Sequence, residues 1–331
     1  MKALILEKPG QLNALTVVTN REIPDPKDNE IRVKVYGAGL NPSDYQVAEH
    51  PGLDSEKKRV LGLEIAGIVD AIGNSVDNFS IGDRVYYLRS IDNLDGGFAE
   101  YSVTTAHTAS KLPDDVPFEL AAVVPAAGYT AYQAIIQKLK PQSGGTILIH
   151  GGAGGVGGYA IQLAKLCGLK VITTCLGKDF DYVRTLGADE VIDYTQENMY
   201  ELISNITNGR GVDYILNTIS PDSATKDLEV LAFGGELVVT AGFPDFKKIR
   251  FYDKGMSIHE IALGASHTQG DFKAQINLAK IGDHFSKLIS EGKIVPPQIT
   301  SITIDDIPAY LKKMKEGKVT GKVVAIINQV K

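Results

Sequence analysis

Cysteine is almost missing from this chain: of 331 residues only Cys167 and Cys175 carry thiols. Two thiols build neither a disulfide framework nor a multi-cysteine zinc site, so both are read as free. Cys167 falls on the apolar face of a helix-patterned segment and reads as a small core residue. Cys175 closes a strand-like run, where it either packs or presents an alkylation-sensitive thiol. Histidine is sparse as well. His50, His107, His150, His259, His267 and His284 lack the spacing of a ligand set, and each reads as a surface or internally satisfied side chain. No apolar run approaches the roughly 18 residues of a membrane span. Met1 leads directly into strand-like residues 2–8, without the apolar core of a secretory signal. These absences point to a cytoplasmic protein with no membrane partner. Positive charge is not in excess, the formal net charge being -6, so the basic stripe of a nucleic-acid-binding protein is not expected. Internal repeats, low-complexity tracts and linkers rich in glycine, proline or serine are also lacking.

What is present is ordinary for a globular protein, 44% hydrophobic and 22% charged, and long enough for two domains. Up to about residue 111 the chain shows short β-like runs at 2–6, 15–19, 30–36, 65–71, 83–88 and 98–103, separated by glycine, proline and asparagine turns. From about residue 117 the character changes. A helical stretch through 136 precedes strands at 146–149, 170–174, 190–192, 213–217 and 236–240, with helix-patterned segments between them. That alternation specifies an α/β domain whose parallel sheet is covered on both faces. Beyond Gly264, helix-like segments at 272–291 and 306–316 and a last strand at 322–327 break the alternation and are expected to return to the first, β-rich domain. The expected division is 1–124, 125–265 and 266–331.

One stretch carries most of the functional information: Ile147-Leu148-Ile149-His150-Gly151-Gly152-Ala153-Gly154-Gly155-Val156-Gly157-Gly158. An apolar strand empties into a glycine-rich turn and directly into an amphipathic helix, whose apolar face is Val156, Ala160, Leu163, Ala164 and Cys167. Gly152, Gly154 and Gly157 satisfy the G-x-G-x-x-G spacing, which allows a tight turn, close approach to a pyrophosphate and close packing of helix on strand. The amides of Gly155, Val156 and Gly157 open that helix and would face the phosphates. A second strand follows at the distance of a βαβ unit.

With these elements placed, the chain resembles the zinc-free quinone oxidoreductase (ζ-crystallin-like) branch of the medium-chain dehydrogenase/reductase superfamily, nearly end to end. The resemblance is carried by Gly39-Leu40-Asn41-Pro42-Ser43-Asp44, Leu61-Gly62-Leu63-Glu64-Ile65-Ala66-Gly67, Gly82-Asp83-Arg84-Val85, Gly96-Gly97-Phe98-Ala99-Glu100-Tyr101 and Ala127-Gly128-Tyr129-Thr130-Ala131-Tyr132. Ala153-Gly154-Gly155-Val156-Gly157, Leu186-Gly187-Ala188-Asp189 and residues 317–324 complete it. It implies an α/β fold in which a GroES-like catalytic domain is split around a Rossmann doubly wound parallel sheet, with the active site in the cleft between them. Where zinc-dependent relatives carry cysteine and Gly-His-Glu, this chain has the Asn41-Pro42 region and Gly62-Leu63-Glu64, and residues 90–97 hold no cysteines for a structural metal lobe. No metal is expected.

Without a metal, the chemistry implied is reduction of an already activated acceptor, a quinone or an α,β-unsaturated carbonyl, by NADPH. The resemblance places Asn41 and Thr130 near the nicotinamide. Asp44 matches too, but Asn41, Ser43 and Asp44 equally suit a helix N-terminus. A Gly-x-Tyr-Pro tyrosine of many relatives is replaced by His50-Pro51-Gly52-Leu53, which speaks against enoyl-thioester reduction. Tyr45 is the nearest phenol, either donating to a developing oxyanion or lining the cleft wall. Glu64, in an apolar run, is either paired internally or faces the cleft. Residues 173–178 lack the acid that would hold a ribose 2′-hydroxyl, so NADPH is expected over NADH, with Lys178 and Tyr194 at the 2′-phosphate, although Asp179 lies close in sequence. Asn217 and Phe243 complete the cofactor set that the resemblance implies. Residues 257–263 alternate and then stop at Gly264, as an edge strand joining two subunits of a homodimer would. The reading from another class is a non-enzymatic NADPH-binding sensor or structural protein.

Overall fold

The computed structural model describes residues 1–50, 58–250 and 252–329; Pro51, Gly52 and Leu53 lie outside them. The chain divides into two compact units, Met1–Tyr129 with Leu263–Lys331, and Thr130–Ala262. These divisions compare with 124/125 and 265/266 expected from the pattern.

The first unit is organised by the strand Glu30–Leu40, in which Ile31, Val33 and Val35 are fully buried while Arg32 and Lys34 lie on the other face. This is the period-2 alternation of a half-buried strand. The strand pairs antiparallel with Glu64–Ile72, with Tyr101–Thr105 and, through Val323 opposite Leu40, with Lys322–Ile326. The end of the chain therefore does return to the first unit. Its seven-stranded sheet is accompanied by a three-stranded sheet built on Ala3–Leu6, and one hydrophobic core of aliphatic side chains with Phe79, Tyr87 and Phe98 packs within the unit.

The second unit holds six parallel strands in the spatial order Glu190–Asp193, Lys170–Cys175, Thr146–Ile149, Val212–Asn217, Leu231–Val239 and Ser257–Glu260. In sequence order this is 3-2-1-4-5-6, the doubly wound arrangement whose direction reverses between the first and fourth strands, where such folds bind their ligands.

Several elements differ from the sequence reading: the strand expected at 98–103 is Tyr101–Thr105, and Arg59–Val60, Ser110–Lys111 and Ile299–Thr303 are strands that it did not contain. The helical stretch 117–136 is broken into Phe118–Ala121 and Ala127–Tyr132, followed by the π-helical Gln133–Leu139. Pro125 lies between the first two, and proline cannot donate the intrahelical bond. The fifth strand begins at Leu231 rather than 236, because Gly234 and Gly235 interrupt its apolar pattern without ending it. The edge strand is Ser257–Glu260 and stops short of 263. Its last link is Ile261 N–H on Val239 C=O, 3.1 Å, at the end of the neighbouring strand.

Candidate functional site

The glycine turn occupies the carboxyl end of Thr146–Ile149, and the helix Gly155–Leu166 starts from it with Gly154 as its N-cap. Steric demands explain the glycines. A Cβ on Gly152 would stand 2.2 Å from Thr173 Oγ1 on the adjacent strand, and one on Gly157 would stand 2.2 Å from Gly151 C=O. At Gly154 an added Cβ would meet only Gly151 C=O at 3.2 Å. Gly152 and Gly157 thus pack helix, turn and strand together, and Gly154 keeps an open approach to the helix N-terminus. With Gly155 and Val156 these residues form a surface suited to a pyrophosphate.

The remaining cofactor candidates also follow carboxyl ends of parallel strands. Lys178 lies in the single turn Gly177–Asp179 after Lys170–Cys175, and Tyr194 follows Glu190–Asp193. Both are exposed. Asp193 ties their loops together, accepting Gly177 N–H at 2.9 Å on one oxygen and the Thr195 hydroxyl at 2.6 Å on the other. The Thr195 hydroxyl, the Thr195 amide and the Gly177 amide hold the Asp193 carboxyl below its ordinary range. An anionic side chain outside residues 173–178 therefore sits at this corner of the sheet, which a scan of the second strand alone did not reveal. Cys175 is buried, and burial with Asp179 and Asp193 nearby pushes its thiol up to about 11. Burial of this kind favours packing over the alkylation-sensitive alternative.

Asn217 is 1% exposed and its amide is used within the unit. Nδ2 donates to Asp227 at 2.6 Å and Ser223 at 2.9 Å, and Oδ1 accepts the Ile219 and Ser220 amides. His150 Nε2 meets the same Asp227 carboxylate at 2.9 Å. This buried cluster braces the loop after the fourth strand against the residue that opens the glycine turn. The Asn217 side chain thus fixes the backbone of the loop that follows the fourth strand. Phe243 follows the fifth strand, is half-exposed and packs beside Phe246, with ring centroids 5.8 Å apart.

In the first unit, Asn41 caps the helix Pro42–Glu49, and the Asp44 carboxylate returns to the Asn41 amide at 2.8 Å. Asp44 also accepts Gly62 N–H at 3.2 Å. The helix-start reading of this segment is the one these bonds show. Burial pushes the Asp44 carboxyl up to about 7, against the Asn41 amide that favours its ionised form. Arg89, buried beside it, donates to the carbonyls of Gly62, Ser90, Asn93 and Val60.

The Asn41 carboxamide is held between two charges. Nδ2 donates to Glu64 Oε2 at 2.7 Å, and Oδ1 accepts from Lys322 Nζ at 2.6 Å. Lys322 also pairs with Glu64 at 2.5 Å, and Ala126 N–H binds the other Glu64 oxygen at 2.6 Å. Glu64 is fully buried and Lys322 4% exposed. Of the two readings of Glu64, internal pairing is the one observed. Lys322 escaped the sequence reading, although a lone lysine heading an apolar strand was a signal. Tyr45 is half-buried against the core of its own unit. Thr130 opens the second unit on the helix Ala127–Tyr132 and is partly exposed. Among the described residues, no group of three or more His, Cys, Asp or Glu side chains could hold a metal ion, and no helix is long and apolar enough to cross a membrane.

Comparison with known proteins matches residues 27–114 to the alcohol dehydrogenase GroES-like domain family and residues 155–280 to the zinc-binding dehydrogenase family. The quinone oxidoreductase of Sus scrofa is 32% identical over 279 residues, 82% of this chain and 83% of that protein. A trans-enoyl reductase of Alternaria alternata is 31% identical over 97% of this chain and 96% of its own length. Among solved structures, the quinone oxidoreductase of Coxiella burnetii aligns over 99% of both chains with a TM-score of 0.86 and 28% identity.

Proposed function

Because the chain belongs to the quinone oxidoreductase branch of the medium-chain dehydrogenase/reductase superfamily, we propose that it reduces a quinone or an α,β-unsaturated carbonyl with NADPH and without zinc. It is an oxidoreductase of that superfamily, whose quinone oxidoreductases bind a nicotinamide cofactor. The zinc-free part of this reading is supported by one observation: a lysine ammonium pairs with Glu64 and donates to Asn41, at the positions where the resemblance puts the ligands of zinc-dependent relatives.

Zinc does not fit this donor set. It favours about four thiolate, imidazole or carboxylate ligands. Here Glu64 and Asn41 are taken by Lys322, Asp44 is taken by two amides, and neither a thiolate nor an imidazole is among them. An unactivated ketone would need its oxygen polarised by a Lewis acid or a strong proton donor, whereas a quinone or enone already carries a low-lying acceptor orbital. Bound NADPH would supply a hydride, two electrons with one proton, while a second proton reaches the acceptor from solvent or a nearby donor.

The residues of the chain bind and orient. The Gly152–Gly157 turn receives the pyrophosphate, and Lys178 with Tyr194 receives the 2′-phosphate. Asn41 is the donor we assign to the acceptor oxygen, with the Tyr45 and Thr130 hydroxyls as the further candidates that the resemblance implies. A second reading, enoyl-thioester reduction, is favoured by the similarity to the Alternaria protein and opposed by the His50-Pro51-Gly52-Leu53 departure. A homodimer joined through Ser257–Glu260 is part of the proposal, because among the described residues that strand has a neighbour on one side only. The test is NADPH oxidation with benzoquinone, a 2-alkenal and an enoyl thioester, each with and without a chelator, and repeated with NADH. Turnover of the first two acceptors, insensitive to chelation, is expected. Cofactor binding without turnover of any acceptor would favour the non-enzymatic alternative.

A further inference from the structure

We propose that Lys322, near the far end of the chain, is a positioning residue that locks the Asn41 carboxamide so that one of its N–H bonds is a preset donor to the acceptor oxygen. This rests on the reading of Asn41 as a substrate contact. The three N–H bonds of the ammonium are spent on Leu40 C=O at 3.2 Å, Asn41 Oδ1 at 2.6 Å and Glu64 Oε2 at 2.5 Å. An ammonium only donates and an ionised carboxylate only accepts. Oδ1 must therefore face Lys322, and Nδ2 must face Glu64. A flipped amide would set donor against donor at Lys322 and oxygen against oxygen at Glu64.

Nδ2 carries two N–H bonds and Glu64 takes one. The other is the donor assigned to the substrate, and its direction is set before any ligand arrives. Lys322, Glu64 and Asn41 are all at most 6% exposed, so little water is present to compete for these bonds. A fixed donor in such surroundings stabilises developing negative charge without reorganising, and removing one typically costs roughly a hundredfold or more in kcat. Taking away Lys322 alone would strand a buried carboxylate, so the informative change removes both charges together.

The experiment compares wild type, Asn41→Ala, Lys322→Met/Glu64→Gln and the triple variant. It reads the side-chain amide resonances of Asn41, assigned by their absence in Asn41→Ala, together with the cofactor dissociation constant, kcat and KM. In wild type the two amide protons should be well separated and slow to exchange; in Lys322→Met/Glu64→Gln they should move together and exchange faster. For that variant kcat should fall roughly a hundredfold with KM and cofactor affinity changing by less than about threefold, and adding Asn41→Ala should cost little more, as expected of residues acting as a unit. Unchanged Asn41 resonances in the double variant, or fully additive losses in the triple, would overturn the proposal alone. Normal turnover by Asn41→Ala, with a locked amide in wild type, would overturn both it and the reading of Asn41 as a substrate contact.

Discussion

Gly152→Ala should damage the nucleotide site through one identifiable collision, which a second substitution can relieve. The added Cβ would stand 2.2 Å from Thr173 Oγ1, 3.0 Å from Ile161 Cδ1 and 3.1 Å from Thr173 Cβ. Thr173 is fully buried and cannot simply turn away, because its hydroxyl donates to Ile149 C=O at 2.7 Å across the sheet. Forcing a methyl into such a site typically costs about 1–3 kcal/mol. Thr173→Ala alone forfeits that hydrogen bond, about 1 kcal/mol net, and leaves a small void. In the double variant the 2.2 Å clash disappears and only contacts of 3.0 and 3.1 Å remain, which small shifts absorb. The double variant should accordingly be more stable than the sum of the single losses implies, with a coupling of about 1–2 kcal/mol. Urea midpoints at constant m give the stabilities, and nicotinamide fluorescence gives cofactor affinity. Gly152→Ala should weaken cofactor binding while Thr173→Ala does so less. A Gly152→Ala protein of wild-type stability and affinity, or a strictly additive cycle, would refute the argument that this glycine exists to let the turn approach the strand.

Three further outcomes follow from the same geometry. Asp44, with its carboxyl pushed up to about 7, holds a proton that the unfolded chain releases near pH 4, so its contribution to stability is present below pH 4 and is lost as pH rises to about 7. A shift of roughly three units amounts to about 4 kcal/mol, and Asp44→Asn should flatten the fall in unfolding free energy over that range; parallel pH profiles would contradict it. Lys178→Ala should weaken NADPH roughly ten- to a hundredfold and spare NADH, as loss of one charge-assisted contact implies; equal losses in titrations with both cofactors would reverse the assignment. In a parallel ladder amides alternate in direction, and since Ile261 N–H is bonded to Val239 within the sheet, the Ile258 amide faces outward. Ile258→Pro should therefore leave the subunit folded and shift a dimer toward monomer in sedimentation, whereas Ile261→Pro, which removes a bond inside the subunit, should lower stability first.

Much of the second unit was legible in the chain because its determinants are local. An apolar run, a glycine turn at fixed spacing and an amphipathic helix lie within about twenty residues, and period and turn chemistry act over that range. The break at Pro125 and the early start of Leu231–Val239 were harder to read, since a proline between two good helical segments and a glycine pair inside a strand each send a signal that neighbours override. The first candidate set was legible only in part. Asn41 and Asp44 stand out because a helix cap is written in consecutive residues.

What the sequence alone determined was the identity of the groups: a glycine-rich turn, an asparagine that caps a helix, and a lysine at the head of the final strand. What tertiary structure decided was which of them meet. Lys322 is 281 residues from Asn41 and 258 from Glu64, and it reaches them only because Lys322–Ile326 pairs with Glu30–Leu40. Asp193 reaches Gly177 in the same way, across two neighbouring parallel strands. Pairings of this kind depend on strand register and burial rather than on local propensity. Charge neutralisation in the interior is settled when the chain closes, because an ammonium and a carboxylate that are harmless apart in water must find one another once both are buried.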